Sequence, residues 1–514
     1  SGDSDILFDD KFLKWNLTNK NLGQWDTSNS ENFDTNDPRM KVQRINTGCP
    51  TGCYYPNRGF LFQVNTHGLG NLEFLGIYDS PYVAGIYGME LLDKLIYLEI
   101  VRSHTSLGYG TFIEYPLIAS VDEYIPFYSF PPNLLFLNVS GNTKILKFTK
   151  LPETLRAINA SSTGISSVDD LGSVQSNNSF PQLKILDLSK NENLYTIDGI
   201  SERAPALVNL KVAKCGMLGK VPPIPDTVEE FDISNNLFTS LTNLPTALKE
   251  FSGKQNKLLT LPSIPENTRV VDLQGNPLDE WTLTNSLALS TKEQSTLQPD
   301  YKLELLNISS TNNLPEGLDK FTNLTTLVAN DTNIDAGLVQ LPASLENVEL
   351  NNTGLENLDG LANCTNLKKI TASDNNINSY SGILNSKSSI SELVLNYNRL
   401  TDGDLSVFEN VKVLNVGDNN LNSFKAPNAD EINFVGNPLS SAEVVLTDDE
   451  TELNSNAMFP IDLSLVTGDL NLNLDESSPP KFKLQKNTLS PLQKINALKS
   501  LTNDASLSVK LISN

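Results

Sequence analysis

Positive charge is what this chain has least of for its size. Its 514 residues carry 38 Lys and Arg against 61 Asp and Glu, a formal net charge of −23. So acidic a chain is not built for nucleic acid, whose binders need basic surface to displace counterions, nor for an anionic membrane surface. No run of about 18 apolar residues occurs, the length a membrane-spanning helix needs. Histidine is nearly missing: His67 and His104 are the only two. Neither stands in metal-ligand spacing or beside a nucleophile motif, which argues against a zinc site and against Ser/His/Asp catalysis. The phosphate-cradling G-x-x-x-x-G-K-[ST] loop is also missing. The opening SGDSDILFDD lacks the basic-then-apolar layout of a secretory signal, so the expectation is a signal already removed or never present.

Cysteine is scarce too, with four in the chain. Cys49 and Cys53, in CPTGC, either close a small-loop disulfide, which would imply an oxidising compartment, or remain free thiols. Cys364, in LANCTNL, reads as a small buried apolar residue. The turn TDGD at 401–404 has two carboxylates, but the full spacing of a calcium loop is missing.

What the chain has in quantity is one pattern. VEEFDISNNLF, LKEFSGKQNKL and TRVVDLQGNPL begin at Val228, Leu248 and Thr268, 20 residues apart. Most copies have apolar residues at positions 1, 4, 6 and 11 and Asn at 9. The same register places position 1 at Leu134, Leu155, Leu183, Leu207, Leu303, Leu324, Leu345, Leu367, Ile390, Val411 and Ala429. Position 9 is Asn, Thr or, at Cys215, Cys in every copy. Each of these carries a hydrogen-bond donor, as an internal ladder serving buried backbone requires. One such unit cannot bury its own greasy edge, so the units must stack into a parallel sheet over a continuous core. Looser copies start at Leu72 and Leu95.

This pattern, L-x-x-L-x-L-x-x-N-x-L, resembles the leucine-rich repeat. The LPxxL-type copies are similar to the short repeats of secreted bacterial effectors, and LENLDGLANCTNLKKI to internalin-like adhesins. The resemblance covers roughly residues 59–489 and looks like the bacterial and bacteriophage type. It implies an α/β repeat fold: a solenoid with a curved parallel sheet on its concave face, an extended, 3-10 or short helical convex side, and caps at both ends. Some effector relatives attach a ubiquitin-ligase domain with a nucleophilic Cys. No cysteine follows Cys364, so that activity is not carried over.

The expected organisation is an N-terminal cap at 1–58, around Trp15 and Trp25, repeats at 59–440, and degenerate repeats with a C-terminal cap at 441–514. Insertions interrupt the repeats at 107–132 and 279–302. Six convex segments carry Leu, Ile or Phe followed by Pro four residues before position 1, as at Leu244-Pro245, and should be extended.

The expected function is non-catalytic recognition of a protein or glycan at a cell or virion surface, with no cofactor, metal or nucleic acid and no membrane insertion. The alternative is a structural subunit of a larger assembly such as a phage particle. Two surfaces compete for the contact. One is the concave face, with Asp187, Lys211, Asp232, Asp272, Glu349, Thr371, Tyr397 and Asn415; position 5 there is polar, acid-leaning and free of aromatics. The other is the first insertion, whose Tyr109, Phe112, Tyr115, Tyr124, Phe127 and Tyr128 are the side chains enriched at interface hot spots.

Overall fold

The structure is a computed structural model that describes residues 70–78, 89–101, 130–143, 145–173, 179–260, 264–278, 301–315, 317–334, 341–427 and 429–438. It also describes the backbone of strands at 44–48, 62–65, 83–87, 441–443, 451–454, 461–462, 470–473 and 481–484. Each repeat contributes a short strand at its positions 3 to 5, such as Glu230–Asp232, Glu250–Ser252 and Val270–Asp272. The strand forms there because a buried residue at position 4 alternates with outward ones at 3 and 5. Neighbouring strands pair in register, Phe231 beside Phe251 and Phe251 beside Val271. Twenty strands join into one sheet. Every pair in it is parallel except the last, Leu470–Asn473 with Lys481–Leu484.

The core is a set of columns. Leu134, Leu155, Leu183, Leu207, Val228 and Leu248 stack at position 1 with no exposed surface. Thr268 is polar at that position yet equally buried, because its hydroxyl donates to the Leu248 carbonyl. The backbone turns after the strand with a left-handed residue at position 8 of every well-formed repeat. Three of these are Gly141, Gly275 and Gly436; the others, from Ser162 to Asp418, bear side chains.

Position 9 is the ladder that the sequence predicts. Asn236 Nδ2 donates to the Ile233 carbonyl of its own repeat and the Val212 carbonyl of the one before, at 2.9 and 2.8 Å. Its Oδ1 accepts from the Cys215 and Met217 amides. Asn256, Asn375, Asn398 and Asn419 repeat the arrangement. Cys215 donates through sulfur to the Leu188 carbonyl.

The convex side is mixed, as expected, with a four-residue α-helix at Ile200–Arg203 and 3-10 turns such as Leu318–Lys320 and Asp359–Leu361. The proline segments differ in one respect from the extended reading. The residue before each proline is buried, and the proline carbonyl then accepts from the amide of position 1, as in Leu248 to Pro245 and Val228 to Pro225. Proline thus starts a tight turn that feeds the chain into the strand.

Candidate functional site

Among the described residues, the concave face is the side of the sheet turned away from the solenoid's own convex passes. Its outward rows, positions 2, 3, 5, 7 and 8, run across the repeats as parallel stripes.

Row 5 contains most of the residues singled out in the sequence, and the structure gives many of them a local task. Asp187 Oδ1 accepts from the Ser189 amide two residues on, and Asp232 and Asp272 do the same for Ser234 and Gln274. Asn415 accepts from Gly417. A short side chain that bonds its own backbone two residues later stabilises the turn out of the strand. Asn and Asp at position 5 are therefore first of all turn formers.

The exceptions support this. Where position 5 is Lys211, Val328, Glu349 or Thr371, the amide at position 7 finds another acceptor. Ala213 donates to the Ser189 hydroxyl and Asn330 to the Ser309 hydroxyl. Asn351 donates to Asn330 and Ser373 to Asn351. The position 7 side chain of the preceding repeat has taken over the task. Glu349 accepts from Asn330 Nδ2, Thr371 from Asn351 Nδ2 and Asn396 from the Ser373 hydroxyl. A continuous polar ladder thus runs across the face from Ser309 to Asn396.

Tyr397 stands apart. It occupies the left-handed position 8 at φ 56° and is 54% exposed. The repeat imposes that conformation on position 8 in every well-formed unit, so what sets Tyr397 apart is a large aromatic ring held exposed on the face.

Row 3 holds the feature that the sequence reading missed. Phe74, Tyr97 and Phe136 stack in successive repeats with ring centroids 5.1 and 5.3 Å apart. The concave face therefore has aromatics, at position 3 instead of position 5. The register starting at Leu72 and Leu95 already placed them there, and reading every outward row would have found them. Beside the ladder, Glu99 accepts from the Tyr97 hydroxyl at 3.2 Å and from Asn138 at 3.1 Å. Burial pushes the Glu99 carboxyl above its ordinary pKa, and the Asn138 bond opposes part of that shift. Row 2 carries ion pairs between neighbouring repeats: Lys249 with Glu229, Arg269 with Glu304 and Lys368 with Glu346.

The aromatic residues of the first insertion, Tyr109 through Tyr128, lie outside the described residues, as do Cys49, Cys53, Trp15 and Trp25. Among the described residues no group of three or more His, Cys, Asp and Glu could hold a metal ion. In TDGD, Asp402 accepts from the Tyr380 hydroxyl and Asp404 from its own Ser406. Among the described residues no helix is long and apolar enough to cross a membrane.

No known protein family and no curated protein matches the chain by sequence. Solved structures do match. YopM from Yersinia enterocolitica is 21% identical with a TM-score of 0.52, over 75% of this chain and 78% of that one. A leucine-rich-repeat protein of Leptospira interrogans is 16% identical with a TM-score of 0.48, over 73% and 86%. The InlJ functional domain of Listeria monocytogenes is 16% identical with a TM-score of 0.38, over 76% and 66%. At such identities the likeness is one of fold alone, and the fold is the leucine-rich-repeat solenoid.

Proposed function

We propose that this solenoid is a non-catalytic recognition module that grips a macromolecular partner, protein or glycan, across its concave face, at a cell or virion surface. One observation supports this above the rest: the Phe74–Tyr97–Phe136 stack lies in an outward row of the sheet, each ring part-exposed. Half-buried aromatics in a row are large contact area at small entropic cost, the property that enriches them at binding hot spots. Around them the face is rigid and polar, its amides and carboxylates already fixed by bonds between repeats. A preorganised surface loses little freedom on binding. Tyr397 marks a second contact point toward the other end. The partner-contacting set is therefore Phe74, Tyr97, Phe136 and Tyr397, with Lys211, Glu349 and Thr371 between them.

A second reading, a fixed part of a larger assembly, draws on a different surface. Leu146, Tyr195, Leu218 and Leu259 follow the buried post-ladder residue in their repeats and point outward, 40 to 72% exposed. The corresponding residues toward the C-terminus are the polar Glu356, Asn378, Thr401 and Asn422. Cross-linking with mass spectrometry on the native protein in its source material decides between the two. Cross-links from concave residues such as Lys211 to a foreign molecule support recognition. Cross-links confined to the lateral flank and to copies or fixed neighbours of this chain would replace it with the assembly reading.

A further inference from the structure

The aromatic ladder stops one rung short. Phe136 is paired in register with Ala157, and Ala157 with Ile185. Row 3 therefore reads Phe74, Tyr97, Phe136, Ala157, Ile185. Tyr97 covers one face of the Phe136 ring at 5.3 Å. On the other side the next residue has only a methyl group, so no ring or long side chain of row 3 covers that face. Ile185 closes the gap one repeat later. Strands lie about 4.8 Å apart, so a notch two strand spacings wide remains between Phe136 and Ile185. Its floor is the Ala157 methyl, and its walls are a ring face and a branched alkyl chain.

Resting on the concave-face reading, we infer that this notch takes an aromatic side chain of a polypeptide partner, which completes the ladder as the rung over Ala157. The fit is one of shape and chemistry. A flat ring placed there continues the 5 Å stacking spacing already set by Phe74, Tyr97 and Phe136, in the offset geometry that aromatic pairs prefer. All three surfaces it meets are apolar, and an aromatic ring needs nothing else. A sugar ring needs directed hydrogen bonds, and the amide oxygens beside the notch are already engaged. Asn138 donates to Glu99 and accepts from the Ser140 amide. Asn159 accepts from both the amide and the hydroxyl of Ser161.

The test uses the full-length chain with methyl-labelled Ala and Ile and a titration of N-acetyl-L-tryptophanamide. A ring seated in the notch gives the Ile185 δ1 methyl, which faces it, a saturable upfield ring-current shift, and the Ala157 methyl, at the ring's edge, a saturable downfield one. The variant Ala157→Phe fills the rung from within. It should hold or raise the melting temperature and abolish the Ile185 response to the ligand. Unmoved Ala157 and Ile185 methyls at saturating probe overturn the inference. So does a shift produced by methyl β-D-glucopyranoside instead, or a melting temperature that drops by several degrees in Ala157→Phe, which would mean that the space is not there. Concave cross-links to a partner with silent Ala157 and Ile185 methyls would leave the recognition reading standing and remove this inference alone.

Discussion

At the scale of single residues, position 9 decides most. An Asn there makes two donations to, and up to two acceptances from, backbone that water cannot reach. Asn256 donates to Ile233 and Gly253 and accepts from Phe238. Replacement by Leu, of similar volume, orphans the Phe238 amide and leaves the Ile233 and Gly253 carbonyls with one side-chain donor each, from Asn236 and Asn276. Each unsatisfied buried group costs about 1–3 kcal/mol, so Asn256→Leu should lower stability by at least that much in denaturant titration; an unchanged midpoint would mean that the register of the central repeats is wrong. This role was fully legible in the sequence because the donor requirement recurs at one position. Cys215 shows the same logic in a thiol. It is buried, donates to the Leu188 carbonyl, and burial raises its pKa to about 11. Cys364 is likewise buried and raised to about 11. The thiolate is the reactive form, so at pH 8 iodoacetamide should leave both unlabelled in the folded protein and label both in guanidinium.

At the scale of the repeat element, three features were not legible. The Asx turns of row 5 look identical in sequence to a polar binding surface, because the same Asn and Asp residues serve both. Only the backbone geometry separates the two uses. The residue before position 1 forms another ladder: Thr154, Thr227 and Ser344 hydroxyls donate to the position 1 carbonyl of the preceding repeat. Ser and Thr are too common in this chain for that spacing to be noticed. Gly403, in TDGD, is the third. A Cβ built on it would lie 1.7 Å from the Ser423 carbonyl oxygen. The turn therefore needs glycine for close backbone approach, and Gly403→Ala should cost several degrees of melting temperature, with the loss concentrated in the C-terminal repeats. Glu99 supplies a pH-dependent case. Its folded pKa is raised by burial, so the folded state favours the neutral acid. Stability from this group is fully present below the unfolded pKa and is lost as pH rises through the folded one. Glu99→Gln mimics the neutral form. Its melting temperature should match the parent near pH 4 and exceed it at pH 7; a deficit at pH 7 would show that the charged carboxylate is favoured by its Tyr97 and Asn138 bonds after all.

At the scale of the whole molecule, the chain behaves as a one-dimensional array in which each repeat is held by its two neighbours. Joints that lack a rung bond can then be located by comparing rungs. Asn rungs tie each repeat to the one before by side-chain bonds in both directions. Three successive rungs, after the second insertion, are threonines, and a hydroxyl has one proton to give. Thr311 donates to Ile308 in its own repeat and Thr332 to Ile308 in the preceding one. The Thr353 hydroxyl has its one proton to give either to the Leu350 carbonyl, again in its own repeat, or to Asn375 Oδ1 of the next. The junction between the repeats starting at Leu324 and Leu345, held by the Asn351–Asn330, Asn330–Glu349 and Ser344–Leu324 bonds besides backbone pairing and packing, therefore lacks the donation from position 9 to the preceding repeat that an Asn supplies. Local opening follows such differences in stability. Amides of the strands Thr326–Val328 and Asn347–Glu349 should exchange hydrogen faster than those of Glu230–Asp232 and Glu250–Ser252. Thr353→Asn supplies the missing amide, with the Ala329 carbonyl of the preceding repeat as its acceptor. It should slow exchange across this junction and add about 0.5–1.5 kcal/mol. Equal exchange across all four strands in the parent protein would mean that packing, and not the rungs, sets the cohesion of the array.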